Sequence, residues 1–177
     1  MATILGVEVD GGAVLAGDRL RSEGGTVETE NERYVFDFDE VGAAAVGDGG
    51  DVEEFERRLR SEVRDHETRD DDPMALTRLA SVASDLAGEL GVEAVVAARD
   101  EDGVPRIRAI GADGGVRTDP TAALGSGAQF AVGILDGADR NVDLDAGERL
   151  LRDALDTAAE RDTGTGEEVD AYRLGDG

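Results

Sequence analysis

Side chains that could perform covalent chemistry are scarce in this sequence. Its 177 residues include no Cys and one His, and all 18 basic residues counted as Lys or Arg are Arg. Such a chain cannot form a Cys/His zinc site, a cysteine nucleophile or a disulfide framework. The single imidazole, His66, falls in the charged segment 65–72, which we interpret as a solvated linker without a general-base partner. A Ser-His-Asp triad is therefore not predicted.

Two short motifs suggest ligand sites, but simpler interpretations are favoured. The Gly-Ser-Gly segment 125–127 precedes a predicted helix, whose free N–H groups could bind an anion. It lacks the third glycine and the βαβ context of a dinucleotide fingerprint, so a tight turn is favoured. Residues 139–143 begin like a calcium loop, but Leu144 and Leu150 stand where Gly and a bidentate Glu are required. No cofactor and no metal are predicted.

The strongly acidic composition argues against some functions and favours a protein that works in high salt. With 42 Asp and Glu residues the formal net charge is -24, which repels phosphate backbones and makes nucleic-acid binding an unsuitable role. The acids are scattered, which favours solubility in high salt over the alternative of a specific cationic partner or metal. No apolar run approaches the roughly 18 residues of a membrane span. The start lacks a charged signal region, so we expect a cytoplasmic protein.

The elements that must position any site fall into separate runs of strands and helices. Strands are predicted over 3–9, 13–17, 34–38, 42–46, 93–98, 105–110 and 168–174. Helices are predicted over 52–63 with Asp51 as the cap, from Pro73 to Leu90, over 127–135, and from Asp143 or Asp145 onward. Segregated runs indicate an α+β layered sandwich. The length predicts one domain over residues 1–177.

Six short segments, in order and at matching spacing, resemble the proteasome β-subunit family and its bacterial relative, the HslV peptidase. The segments are 3–7 (TILGV), 10–12 (DGG), 16–18 (AGD), 46–51 (VGDGGD), 125–135 (GSGAQFAVGIL) and 160–166 (ERDTGTG). The resemblance covers residues 2–174. It implies the four-layer αββα sandwich of the N-terminal nucleophile hydrolases and assembly into a ring.

The resemblance also implies positions for most of a catalytic site. In that family a terminal Thr attacks the peptide carbonyl, activated by a Lys that is paired with an Asp. Asp18 matches that Asp, and Gly47 matches the glycine whose amide forms the oxyanion hole. Ser126 matches a serine near the terminal amine, and Asp162 with Thr165 matches the remaining pair.

The two decisive positions depart from the family pattern. The nucleophile falls at Ala2, which has no hydroxyl and cannot be acylated. The lysine falls at Tyr34, and the adjacent Arg33 would point to the opposite face of a strand and stay protonated. We therefore expect a catalytically inactive subunit with a structural or regulatory role. Its partners would be copies of itself or proteasome-type subunits in a ring.

An active threonine-type endopeptidase is the first alternative. Met1 precedes a small residue and is expected to be removed, leaving Ala2 as the terminus, and we expect no leader segment. Further trimming would expose Thr3 as a nucleophile. Thr3 is one position out of register on an alternating strand, which turns its hydroxyl away from the expected site.

Two further alternatives use other groups at the same positions. Asp18 and Asp162 could support a different hydrolysis. The cleft could instead bind a peptide or small molecule, with the Gly47 amide and Ser126 as hydrogen-bond donors. The sequence alone does not separate such a binder from a purely structural subunit.

Overall fold

The computed structural model describes residues 1–176, which form eleven strands and four helices. The strands are β1 (Thr3–Val9), β2 (Gly12–Asp18), β3 (Arg21–Glu23), β4 (Thr26–Thr29), β5 (Val35–Asp37), β6 (Gly42–Val46), β7 (Glu93–Arg99), β8 (Pro105–Ile110), β9 (Val116–Arg117), β10 (Thr121–Gly125) and β11 (Val169–Gly175). The helices are α1 (Gly49–Arg69), α2 (Leu76–Leu90), α3 (Ala128–Asp136) and α4 (Leu144–Arg161).

Two antiparallel sheets lie face to face between two pairs of helices. The first sheet has the order β10-β1-β2-β11 and the second has the order β5-β6-β7-β8-β9, while β3 and β4 form a separate hairpin. Helices α3 and α4 cover the first sheet, and α1 and α2 pack against strands of the second. The predicted α+β fold, a sandwich of four layers in the order αββα, is confirmed.

The apolar strands β1 and β2 are buried on both faces because a layer covers each side of their sheet. Ile4 and Leu15 lie in the core between the sheets, and Leu5 lies in the core under α3 and α4. The two sheets approach closely at Gly6, where a Cβ atom would lie 3.1 Å from a methyl group of Ile107. This burial on both faces explains why these strands are continuous apolar runs rather than alternating ones.

Helix α1 is longer than its apolar stripe predicts. It begins at Gly49 with Asp48 at the N-cap position, so the prediction of Asp51 as the cap is wrong. It continues to Arg69, which places His66 in the last helical turn rather than in a linker. The charged residues 65–69 form its exposed end, and a solvated turn needs no apolar periodicity. The buried stripe is the predicted one: Val52, Phe55, Leu59 and Val63.

The ends of the other helices follow local rules, with one correction. Helix α2 begins at Leu76 rather than at Pro73, which lies outside the helix. It ends at Leu90 and is capped by Gly91, whose φ of 72° is the left-handed conformation that glycine adopts readily. At the start of α4, the Asp143 side chain accepts a hydrogen bond of 2.9 Å from Ala146 N.

Four short strands escape the sequence prediction. The β3–β4 hairpin turns at Gly24 and Gly25, and most of its residues are partly or fully exposed. Without a buried face it has no alternating pattern to detect. Strand β9 has two residues, and β10 (TAALG) mixes small and polar residues. None of the helices within residues 1–176 is both long and apolar enough to cross a membrane.

Candidate functional site

Thr3, the first residue of β1, is fully buried, and its hydroxyl oxygen has two hydrogen-bond partners. Gly127 N donates a hydrogen bond of 2.8 Å to Thr3 Oγ1, and Thr165 Oγ1 lies 2.8 Å from the same oxygen. Strand β10 positions Gly127, because Thr3 pairs with Gly125 at the end of that strand. The Thr3 side chain is thus anchored between the 125–127 turn and the loop after α4.

Ala2 faces the opposite way and belongs to the core between the sheets. Its exposed fraction is 1%, and it lies in the same apolar cluster as Ile4 and Tyr34. Successive side chains of a strand point to opposite faces, which explains why Ala2 and Thr3 have different surroundings. The backbone at this point is fixed by a hydrogen bond of 3.2 Å from Ser126 N to Ala2 O.

Asp18, at the end of β2, is a buried carboxylate that accepts three backbone hydrogen bonds. Oδ1 accepts from Thr3 N at 2.7 Å, while Oδ2 accepts from Leu20 N at 3.1 Å and from Gly166 N at 2.7 Å. No arginine nitrogen of the described residues lies within 4 Å of it. Burial raises the pKa of Asp18 above the ordinary aspartate value, although the three N–H groups act in the opposite direction.

Tyr34 lies near Asp18 and shares a backbone partner with it. Its hydroxyl donates a hydrogen bond of 3.0 Å to Leu20 O, so the peptide groups on both sides of Leu20 are held by buried side chains. The exposed fraction of Tyr34 is 4%. Burial, followed by the nearby Glu32 carboxylate, raises the pKa of Tyr34 far above the ordinary tyrosine value. The phenol therefore stays neutral and cannot act as a base near neutral pH.

A chain of hydroxyl groups links Thr3 to Asp162. Thr165 Oγ1 donates to Asp162 Oδ2 at 2.6 Å, so the Thr3 hydroxyl donates in turn to Thr165 Oγ1. Ser126 Oγ also lies 2.6 Å from Asp162 Oδ2 and contacts the carbonyl oxygen of Met1. Burial opposes ionisation of Asp162, but hydrogen bonds from Ser126 and Thr165, together with the terminal ammonium group, outweigh it and lower the pKa of Asp162.

Gly47 lies between β6 and α1, apart from this hydrogen-bond network. A Cβ atom at this position would lie 3.0 Å from Val92 Cγ1, so the packing favours glycine. Its N–H donates to no acceptor within residues 1–176. The Gly47 amide is therefore one of the N–H groups without an acceptor at the start of α1 within residues 1–176.

Residues 1–174 match the family model described as "Proteasome subunit". The chain belongs to the proteasome subunit family. It is 34% identical over 170 residues to "Proteasome subunit beta" of Halorhabdus utahensis, covering 93% of this chain and 72% of that protein. The predicted family is thus confirmed, and the chain is a proteasome β-subunit-like protein.

Other relatives show similar coverage. "Proteasome subunit beta 2" of Haloterrigena turkmenica is 34% identical over 173 residues, which cover 94% of this chain and 73% of that protein. "Proteasome subunit beta 1" of Staphylothermus marinus is 32% identical over 179 residues, with 97% and 84% covered. The similarity therefore extends over nearly all of this β-subunit-like chain.

The fold brings most of the sequence-predicted site residues together. Thr3, Asp18, Ser126, Asp162 and Thr165 form one connected set of hydrogen bonds. Sequence reasoning missed the backbone groups of this β-subunit-like site, which are the N–H groups of residues 20, 127 and 166. Gly127 and Gly166 lie in segments that carry the family resemblance, 125–135 and 160–166, but that resemblance did not assign these two amides as donors to Thr3 and Asp18.

Replacing Thr3 with Val is expected to destabilise the protein by about 1–3 kcal/mol. Valine keeps the side-chain volume but leaves the buried Gly127 N–H without an acceptor and Thr165 Oγ1 without a donor. Denaturant unfolding would measure this change. The exposed Thr26→Val on β4 is the matched control and should change the free energy of unfolding by less than about 0.5 kcal/mol. Equal effects of the two variants would contradict a structural role for Thr3.

Proposed function

We propose that this protein is a proteasome β-subunit-like protein without peptidase activity, which serves as a structural or regulatory subunit of a ring assembly. The observation that carries the proposal is that Ala2 and Tyr34 are both buried in the same apolar cluster, with exposed fractions of 1% and 4%. At the positions where the family has its nucleophile and its lysine, this chain has a methyl group and a neutral phenol. Neither group can form or assist an acyl-enzyme.

The surroundings of Asp18 support the same conclusion. In the family this aspartate pairs with the lysine, but here its oxygens accept N–H groups of residues 3, 20 and 166. A chain without Lys has no amine side chain to exchange a proton at this site. Arg33 does not compensate, because it is exposed beside a different cleft, and guanidinium groups do not exchange protons as an amine can.

The contacts of Thr3 argue against the alternative of a threonine-type endopeptidase. Its Oγ1 is buried and already bonded to Gly127 and Thr165, on the face of β1 opposite to Ala2. Trimming to Thr3 would also turn the backbone N–H that donates to Asp18 into the terminal amine of the chain. Attack on a peptide would require this hydroxyl to leave its partners and turn toward the other face.

The retained scaffold supports a role in assembly. Both sheets and all four helices of the αββα fold are present, although the groups needed for chemistry are replaced. Ring formation is what the family resemblance implies for such a scaffold. The net charge of -24 supports a working environment of high salt, where ions screen repulsion between neighbouring subunits.

Wild-type protein is expected neither to hydrolyse fluorogenic peptides nor to react with a threonine-directed covalent inhibitor. An active proteasome β subunit, assayed in the same high-salt buffer, is the positive control for both measurements. Intact mass spectrometry of the treated protein should give an unmodified chain. Peptide turnover, or addition of one inhibitor to a chain starting at Thr3, would overturn the proposal and favour the endopeptidase.

A further inference from the structure

We propose that Arg21 is a plug that slows the entry of ligands to the candidate site. Its side chain extends from the first residue of β3 to the N-terminus of α1, where the guanidinium packs on Gly49. The contact is so close that a Cβ atom added to Gly49 would overlap the guanidinium. Such a plug restricts access whether or not the site is catalytic, so it goes beyond the proposed loss of chemistry.

The backbone of Arg21 is fixed directly beside Tyr34. The Tyr34 hydroxyl donates a hydrogen bond of 3.0 Å to Leu20 O, which belongs to the peptide group that joins Leu20 to Arg21. Burial raises the pKa of Tyr34, Glu32 raises it further, and the charge of Arg21 acts in the opposite direction, as a nearby guanidinium must. Tyr34 is 4% exposed and the Arg21 side chain 35%, so Arg21 is the outer of the two groups.

Two carboxylates of the hairpin segment hold the guanidinium in place. Arg21 Nε lies 3.0 Å from Glu28 Oε2, and Arg21 Nη1 lies 3.4 Å from Glu32 Oε2. Arg21 is on β3, Glu28 is on β4 and Glu32 follows β4, so the β3–β4 hairpin positions the plug. Contacts at two different nitrogens fix the orientation of the planar guanidinium. Both ion pairs are partly exposed and therefore weak, so the plug opens transiently and slows entry rather than preventing it.

Helix α1 offers space for Arg21 but no attraction. A cation is unfavourable at the N-terminus of a helix, and within residues 1–176 no carboxylate of α1 lies within 4 Å of the Arg21 guanidinium. Gly49 does not have a positive φ, so its backbone conformation does not require glycine. Glycine is also a poor helix residue. Space for the guanidinium is what a glycine provides at this position.

A cysteine at position 34 reports whether the plug limits access. The chain contains no Cys, so Tyr34→Cys supplies a single thiol, whose alkylation by iodoacetamide is followed by intact mass spectrometry. Adding Arg21→Ala should raise the alkylation rate at least about tenfold, because a buried thiol reacts only when the structure above it opens. If circular dichroism shows that Tyr34→Cys does not fold, Ala2→Cys, a small change at a buried position of the same apolar cluster, serves as the reporter.

Charge alone would change the rate in the opposite direction. A cation beside a thiol favours the reactive thiolate, so removing Arg21 without a change in access would slow alkylation. Ala131→Cys, on the buried face of α3, is the control reporter, and Arg21→Ala should leave its alkylation rate unchanged. Arg64→Ala, at an exposed position of α1, should leave the rates of all reporters unchanged.

Two results would overturn the plug. One is an alkylation rate at the reporter that stays the same or falls when Arg21→Ala is added. The other is an equal rise at position 131, which would show a general loosening of the fold instead of a local opening. The measurement needs neither peptidase activity nor a ring. Failure of the plug would therefore leave the proposed inactivity standing, since inhibitor labelling tests that separately.

Discussion

A chain that carries both Ala2→Thr and Tyr34→Lys should react with a threonine-directed covalent inhibitor, whereas the wild-type protein and each single variant should not. Residues that act as one catalytic unit have strongly non-additive effects, so restoring one of them gains little. We expect the double variant to react at least about a thousandfold faster than either single variant. The double variant and the two single variants must all be produced with residue 2 as the N-terminal residue.

The geometry at these two positions explains the expected gain. The backbone at residue 2 is already fixed by Ser126 N, and the hydroxyl network around Asp162 is intact. A lysine at position 34 would replace a phenol that reaches Leu20 O, the backbone group next to the Asp18 carboxylate. Its ammonium would supply the charge partner that Asp18 lacks, and loss of its proton would provide a base.

Intact mass spectrometry after inhibitor treatment measures this result directly. The double variant should gain the mass of one inhibitor, and a variant with Ala2→Val and Tyr34→Lys, which has the lysine but no hydroxyl, should gain none. If the double variant folds but remains unlabelled, the loss of activity does not lie in these two side chains alone. That outcome would contradict our account of the site as intact except at these two positions.

The sequence predicts the buried half of this fold well because burial leaves a pattern. Strands β1, β6 and β8 have the predicted bounds, since each is a short apolar or alternating run between turn residues. The stripe of α1 follows in the same way from the 3.6-residue period. Elements that contact solvent leave no such pattern, which explains the missed β3–β4 hairpin, the missed β9 and the unexpected length of α1.

The candidate site was likewise predictable only in part: its side chains could be selected in advance, but the backbone groups that contact them could not. The family resemblance selects side chains, and five of those positions prove to be joined by hydrogen bonds. The backbone donors to those side chains depend on tertiary structure, because Gly127 is 124 residues from Thr3 and Gly166 is 148 residues from Asp18. Local periodicity carries no information at such separations.

Asp18 is the residue whose role changes most when the structure is considered. The family resemblance implies that Asp18 is the partner of a lysine, which this chain does not contain. A buried carboxylate without a cation is costly. In the structure Asp18 joins the start of β1, the segment after β2 and the loop before β11 through three N–H groups. These contacts give the carboxylate a structural function that requires no lysine.

Replacing Asp18 with Ala should therefore destabilise the protein by about 3–5 kcal/mol, because three buried N–H groups lose their acceptor. Asp18→Asn should cost less, since its amide oxygen can still accept from one side of the site. Denaturant unfolding in high salt gives the order wild type, Asn variant, Ala variant, with the exposed Asp71→Ala as a control near wild type. An Asn variant more stable than wild type would instead show that the buried charge is a remnant of lost chemistry, because removing that charge would then outweigh the lost hydrogen bonds.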